Sequence, residues 1–159
     1  MKIYKAKDKK DFLFFGSLLE SYIVELNSIS DTVKIRPQKI LEKEYFNIPD
    51  TDYFLIKEGY SFVGFAIIGH KSNCPKGTDK FICEFYIVPQ FRQKKYGSIF
   101  IEKILADSKS VCFCILKKNE IAKKFWFKIF KDWQLRETTD DYDVIFYTLD
   151  KKISSSEVN

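Results

Sequence analysis

The sequence is poor in the residues that build metal centres, disulfide frameworks and linkers. It has a single histidine, His70, and four cysteines, Cys74, Cys83, Cys112 and Cys114, with no Cys-x-x-Cys pair. Zinc centres need clustered ligands at short spacing, so none can be assembled from this set. Three of the cysteines lie inside apolar runs, where a thiol behaves as a small hydrophobe. Cys112 and Cys114 would point to one face of a strand, and a reduced core pair accounts for them better than a metal. Six glycines and four prolines leave little material for linkers or low-complexity segments. Basic residues form no block: the lysines are scattered or paired (Lys9-Lys10, Lys94-Lys95, Lys117-Lys118, Lys123-Lys124, Lys151-Lys152), and the formal charge is only +5. That pattern argues against a nucleic-acid arm. The opening MKIYKAKDKKD lacks the apolar centre of a signal peptide, and no apolar run approaches membrane-spanning length. With free thiols in the core, the expectation is a cytoplasmic protein with no membrane partner, as a monomer or homodimer.

What the chain does have is core material. Hydrophobic residues make up 45 % and aromatics 17 % of 159 residues, enough for one packed domain and too much for a disordered chain. Residues 1–150 read as that domain and 151–159 as a polar tail. Met1 to Lys5 suits a short edge strand. Asp8 or Asp11 can cap a helix whose Phe12, Phe15, Leu19, Tyr22 and Leu26 recur at helical spacing. Pro37 opens a second short helix through Tyr45. Tyr53–Ile56 and Phe62–Ile68, joined through Gly59, predict a hairpin. Phe81–Val88 is the most apolar strand, and Pro89 stops it because proline cannot donate to a central ladder. A helix follows from Gly97 to about Ser108, then a buried strand Val111–Leu116 and a helix Asn119–Lys131. Trp133–Leu135 and Val144–Leu149 predict a closing hairpin turning at Asp140-Asp141. Helices interleaved with strands imply an α/β fold (α+β, mixed sheet) with helices on both faces.

The segment from Glu84 to Ser98 carries the chemistry. A buried strand ends at Pro89, a basic polar turn follows, and Gly97-Ser98 begins an amphipathic helix. Free N–H groups and the helix dipole make such a turn electropositive and suited to a phosphate or pyrophosphate. Gly97 lets the backbone approach closely, Ser98 adds a hydroxyl, and Arg92, Lys94 and Lys95 add charge. Read alone, the same residues could simply initiate a helix with solvated cations.

Glu84-Phe85-Tyr86-Ile87-Val88-Pro89 and Arg92-Gln93-Lys94-Lys95-Tyr96-Gly97 together resemble motif A of the GNAT acetyltransferase superfamily. That motif is a strand such as Glu-Leu-Tyr-Val-x-Pro followed by Arg/Gln-x-x-Gly-x-Gly/Ala. Lys95 stands where the motif has its first glycine; a positive φ there costs lysine roughly 1 kcal/mol. Asn119-x-x-Ala122-x-x-Phe125-Trp126 resembles the family's motif B, and the hairpin bearing Val63-Gly64-Phe65 sits where the family has one. The resemblance spans about Tyr53 to Trp133.

It implies a central mixed, largely antiparallel sheet and acetyl-CoA (CoA) as cofactor, inserted between Phe81–Val88 and Val111–Leu116. By the same resemblance, the main chain of Ile87, Val88 and Pro89 would hold the pantetheine and acetyl carbonyl. Arg92, Gln93, Lys94, Lys95, Tyr96, Gly97 and Ser98 would hold the pyrophosphate, and Asn119 the pantetheine arm. Asn119 would also serve as a helix N-cap. The implied reaction is attack of a small-molecule or peptide amine on the thioester, which calls for a base and a proton donor. Glu84 is the candidate base, an ionisable group in an apolar strand where desolvation raises its pKa. Trp126 replaces the family's tyrosine and has no acidic proton, so it is a wall or core residue, with Tyr86 and Tyr96 as alternative donors. His70 reads as a surface or substrate-rim residue, and Asp50 and Asp52 as possible receivers of a cationic amine. The alternatives are a catalytically impaired acyl-CoA-binding or regulatory domain, and an acetyltransferase acting on aminoacyl-tRNA.

Overall fold

Asp8 caps the first helix by accepting from the Asp11 N–H, and that helix packs on one face of a seven-stranded sheet. A computed structural model describes residues 1–30, 46 and 48–152. In chain order the elements are β1 (Lys2–Lys5), α1 (Lys9–Ile29), β2 (Thr51–Glu58), β3 (Ser61–Gly69), β4 (Lys80–Ile87), α2 (Tyr96–Ile104), β5 (Ser110–Leu116), α3 (Glu120–Ile129), β6 (Trp133–Asp141) and β7 (Val144–Lys151). The second helix expected between Pro37 and Tyr45 lies outside the described residues. The expected mixed, largely antiparallel sheet is what forms. The order is β1-β2-β3-β4-β5-β7-β6, and every pairing is antiparallel except β4 with β5.

Two cores flank this sheet. On one face Phe15, Leu19 and Ile23 of α1, spaced four residues apart, bury against Tyr53, Leu55, Phe65, Ile67 and Tyr86. Each such side chain contributes about 1.5–3 kcal/mol by leaving water. By length and mean hydropathy α1 could cross a membrane; here this stripe of it is packed on the sheet. On the other face α2 and α3 bring Phe100, Ile101, Trp126 and Phe130 against Phe54, Ile56, Val111, Phe113 and Ile115.

Several boundaries differ from the sequence reading. Helix α2 stops at Ile104, where Leu105 caps it through the Ile101 carbonyl, four residues before Ser108. Strand β6 runs through Asp140-Asp141, and the hairpin turns at Tyr142-Asp143, with Tyr142 at a positive φ of 44°. Lys151, read as tail, still pairs with Trp133 and donates its N–H to the Lys109 carbonyl.

Where the sheet parts is what positions the site. Strands β4 and β5 pair only at Lys80–Val111, Phe81–Cys112 and Ile82–Phe113. Beyond that, β4 stays on β3 as far as Gly64–Ile87, while β5 follows β7 to Leu116–Val144. Gly64 draws β4 away: a Cβ there would sit 2.3 Å from the Tyr86 carbonyl oxygen, so only glycine permits this approach. On the α3 side the Trp126 indole packs between the two diverging strands, 5.4 Å from the Phe85 ring on β4 and 4.9 Å from the Phe113 ring on β5. The sheet is forked, and an aromatic wedge keeps it so.

Candidate active site

The fork opens into a cleft of about 380 Å³ lined from both faces of the sheet. Tyr22, Glu25, Leu26 and Tyr86 contribute from the α1 side, and Phe85, Ala122, Phe125 and Trp126 from the α2/α3 side. A passage through the sheet can hold a long ligand on one side and a second reactant on the other.

The turn from Pro89 to Tyr96 forms the cleft's polar end. Pro89–Phe91 is a single 3-10 turn, and Gln93 and Lys95 then take left-handed backbone conformations, with φ of 62° and 64°. Lys95 occupies the helix N-cap with no side chain to cap α2, so the first-turn N–H groups of Tyr96, Gly97 and Ser98 have no acceptor among the described residues. Gln93, Lys95, Tyr96, Gly97 and Ser98 all line the cleft. Bare amides and a helix dipole at the mouth of a cleft form an anion cradle.

Arg92 also lines the cleft, but its side chain is already engaged. Its Nε donates to the Ile87 carbonyl at 2.8 Å and its guanidinium pairs with Glu25 at 2.6 Å, lying 5.5 Å over the Tyr86 ring. Its charge is already balanced, and it acts as a strut from the turn to β4 and α1. Among the described residues Lys94 and Lys95 make no ion pair, so they are the turn's uncompensated charges; Lys94 lies over the Phe91 ring and does not line the cleft. Gly97 is also busier than expected. A Cβ there would meet the Phe125 ring at 3.1 Å and the Phe85 ring at 3.2 Å, so this glycine lets α2 pack on the cleft's aromatic wall.

Asn119 accepts the Ala122 N–H through Oδ1, capping α3, and its side chain lines the cleft. Trp126, 6 % exposed, is stacked on Phe113 and Phe130 as a wall of the cleft. Ile87 lines the cleft but Val88 and Pro89 do not, and the Val88 N–H is taken by the Val63 carbonyl at 2.9 Å. That amide is therefore spent within the sheet.

Glu84 stands where β4 carries a bulge: Ile67 faces Glu84 while Ile68 faces Ile82, leaving Cys83 without a partner. The extra residue turns Cys83 and Glu84 alike toward α1. There the Tyr22 hydroxyl donates to the Glu84 carboxylate at 2.6 Å. The Glu84 residue keeps partial exposure, but desolvation of its carboxyl raises the pKa to about 7, against the Tyr22 hydrogen bond, which lowers it. Glu84 itself does not line the cleft, whereas Tyr22 does. Burial foremost, then the Glu25 charge, raises the Tyr86 phenol above its ordinary range.

Other expected residues fall elsewhere. His70, Asp50 and Asp52 lie at the opposite end of β3 and β4, where Gly69 pairs with Phe81. His70 Nε2 is 3.6 Å from Asp52, Asp52 also pairs with Lys5, and Asp50 bonds Ser72. They belong to neither rim of this cleft. All four cysteines are free thiols, and no cluster of three or more His, Cys, Asp or Glu among the described residues could hold a metal.

The sequence profile of the acetyltransferase (GNAT) family matches residues 19–130, more than half of the chain and the whole of the cleft-forming segment. The chain belongs to the GNAT acetyltransferase family. Solved GNAT structures share the fold at low identity. An acetyltransferase from Thermus thermophilus superposes with a TM-score of 0.70 at 14 % identity, over 93 % of this chain and 96 % of that one. An N-acetyltransferase from Staphylococcus aureus reaches 0.65 at 22 %, over 95 % and 98 %. The PaiA N-acetyltransferase from Thermoplasma acidophilum, solved in complex with coenzyme A, reaches 0.67 at 17 %, over 96 % and 100 %. No curated protein matches this sequence. In this GNAT domain three cleft residues carried no sequence signal as such. Tyr22 and Leu26 read only as apolar positions of an amphipathic helix, and Glu25 between them carried no motif.

Proposed function

We propose that this GNAT protein is an N-acetyltransferase with acetyl-CoA as acyl donor and a primary amine of a small molecule or peptide as acceptor. The observation that carries the reading is the fork itself, with unsatisfied amides of Tyr96, Gly97 and Ser98 at its polar end and, in its lining, Tyr22 bonded to the buried Glu84 carboxyl behind it. The cradle fits a diphosphate, and the aromatic-walled passage fits an apolar arm, so the residues present suit the coenzyme.

Acetyl-CoA supplies an activated thioester. The chain's own groups then hold and move protons. Gln93, Lys95 and the α2 amides bind the diphosphate, with Lys94 adding long-range attraction. Asn119 has its Oδ1 committed to the cap and offers its NH₂ to the pantetheine arm. Glu84 accepts the ammonium proton, after which the neutral amine forms the N–C bond as the C–S bond breaks. We assign proton return to the departing thiolate to Tyr86, whose phenol burial keeps protonated, since Trp126 offers no acidic proton. Four free thiols suit a reducing cytoplasm.

Isothermal titration with acetyl-CoA and CoA tests the donor. Binding by both is expected; no heat with either at high micromolar concentration rejects the reading. An amine panel with acetyl-CoA then separates a working transferase from an acyl-CoA-binding domain that retains the cradle but has no turnover.

A further inference from the structure

The proton acceptor and the cleft are not in direct contact; one side chain stands between them. Glu84 is turned toward α1 by the β4 bulge and lies outside the cleft lining, whereas Tyr22 lines the cleft and donates its hydroxyl to Glu84 Oε2 at 2.6 Å. These residues are 62 positions apart, so only the docking of α1 on the sheet brings them together. Tyr22 is fixed in place by ring contacts to Tyr86 at 5.5 Å and Phe65 at 5.6 Å. We infer that Tyr22 is a catalytic relay, the group through which Glu84 draws the proton from the acceptor amine.

The inference rests on the acetyl-transfer reading. In the relay the ammonium N–H bond breaks and its proton goes to Tyr22 Oη. The Tyr22 Oη–H proton passes at the same time to Glu84 Oε2. The net change is a neutral amine, an intact phenol and a protonated Glu84, with no other reactant. A tyrosine alone is too weak an acid to ionise near neutrality, and a short bond to an ionised carboxylate is what allows its proton to move. Among the described residues, the neighbours of Glu84 leave it as the group there that titrates near neutral pH. Cys83 on its own strand and Cys114 on β5 are held as thiols, pushed to about 11 and about 12 chiefly by burial. From β3 the facing residue is Ile67, which carries no charge. Glu25 and Arg92, near Tyr86, are paired with each other.

The test is Tyr22→Phe beside Glu84→Gln and the double variant, assayed with acetyl-CoA and the amine found by the panel across pH 5 to 9. The expected result for Tyr22→Phe is a fall in kcat of about a hundredfold, typical of losing a positioned acid–base group, with acetyl-CoA affinity unchanged. Its acid limb should move to higher pH, because the hydrogen bond that lowers the Glu84 pKa is gone. Residues of one relay act as a unit, so the double variant should be no slower than the worse single one. A Tyr22→Phe enzyme with unaltered kcat and acid limb overturns the relay while leaving acetyl transfer standing. Multiplicative losses in the double variant also overturn it. Wild-type protein that binds no acetyl-CoA overturns both readings. Direct titration of ¹³C-labelled glutamate in the free protein gives a readout independent of turnover, and an unmoved Glu84 pKa in Tyr22→Phe counts against the relay.

Discussion

Glu84 has a cost in stability as well as a use. An unfolded chain ionises this carboxyl near pH 4.5, whereas in the fold desolvation holds the proton to about pH 7. Between those values the native state binds more protons at this carboxyl than the unfolded state, so its contribution to stability is fully present below about pH 4.5 and is lost as pH rises through 7. The shift corresponds to about 3 kcal/mol at most. Chemical denaturation of Glu84→Gln should lose this decline, giving an unfolding free energy flatter from pH 5 to 8 than that of the parent. A variant as pH-dependent as wild type would show that the carboxyl is solvated. Lys95 poses the opposite choice. At φ 64° it carries strain of about 1 kcal/mol that glycine would not. Lys95→Gly should therefore raise Tm modestly while weakening CoA binding severalfold, read by thermal melts and calorimetry. Higher affinity in this variant would refute a role for that cation in the cradle.

At the scale of elements, the fork depends on two glycines and one indole. Gly64→Ala places a methyl group against the Tyr86 carbonyl, a contact that backbone can relieve only by moving β4 toward the opening. We expect a loss of about 1–3 kcal/mol in urea unfolding together with weakened CoA binding. Gly97→Val forces the Phe125 and Phe85 rings aside, so the same two measurements should both respond. Wild-type stability in Gly97→Val would mean that α2 does not pack as described. The elements themselves were largely legible in the sequence. A cap at Asp8 or Asp11, the helical recurrence that includes Phe15 and Leu19, and the apolar runs of β4 and β5 are local patterns, because a helix or strand shows its own buried face. That Asp8 is the cap and Ile23 completes the buried stripe came from the structure. The β4 bulge was not legible. Strict alternation would put Ile82 and Glu84 on one face, yet Ile82 packs in the α2/α3 core while Glu84 bonds α1. Nothing in Phe81–Val88 announces an extra residue, since a bulge is a property of two strands in register.

For the whole molecule, the cleft joins the two cores, with α1 walling one side and α2 and α3 the other. A ligand seated across the fork binds only the native state. At a concentration 100 times its dissociation constant it should add about 2.7 kcal/mol, raising Tm by roughly 5–10 °C for a domain of this size. A thermal shift assay with acetyl-CoA checks this, and an unchanged Tm at such a concentration would place the ligand outside the native cleft. By itself the sequence determined the helix stripe, the strand runs, the Pro89 stop, and the Asn119 cap. It also determined a helix start at the end of a basic turn, although α2 begins at Tyr96, one residue before the expected Gly97. Each of these depends on residues within a few positions of one another. The tertiary structure alone decided that β4 and β5 part after Ile82–Phe113, that Arg92 is committed to Glu25 and Ile87, and that Tyr22 reaches Glu84. Those contacts join residues far apart in the chain, and their energies exist only once α1 has docked and Trp126 has entered the fork.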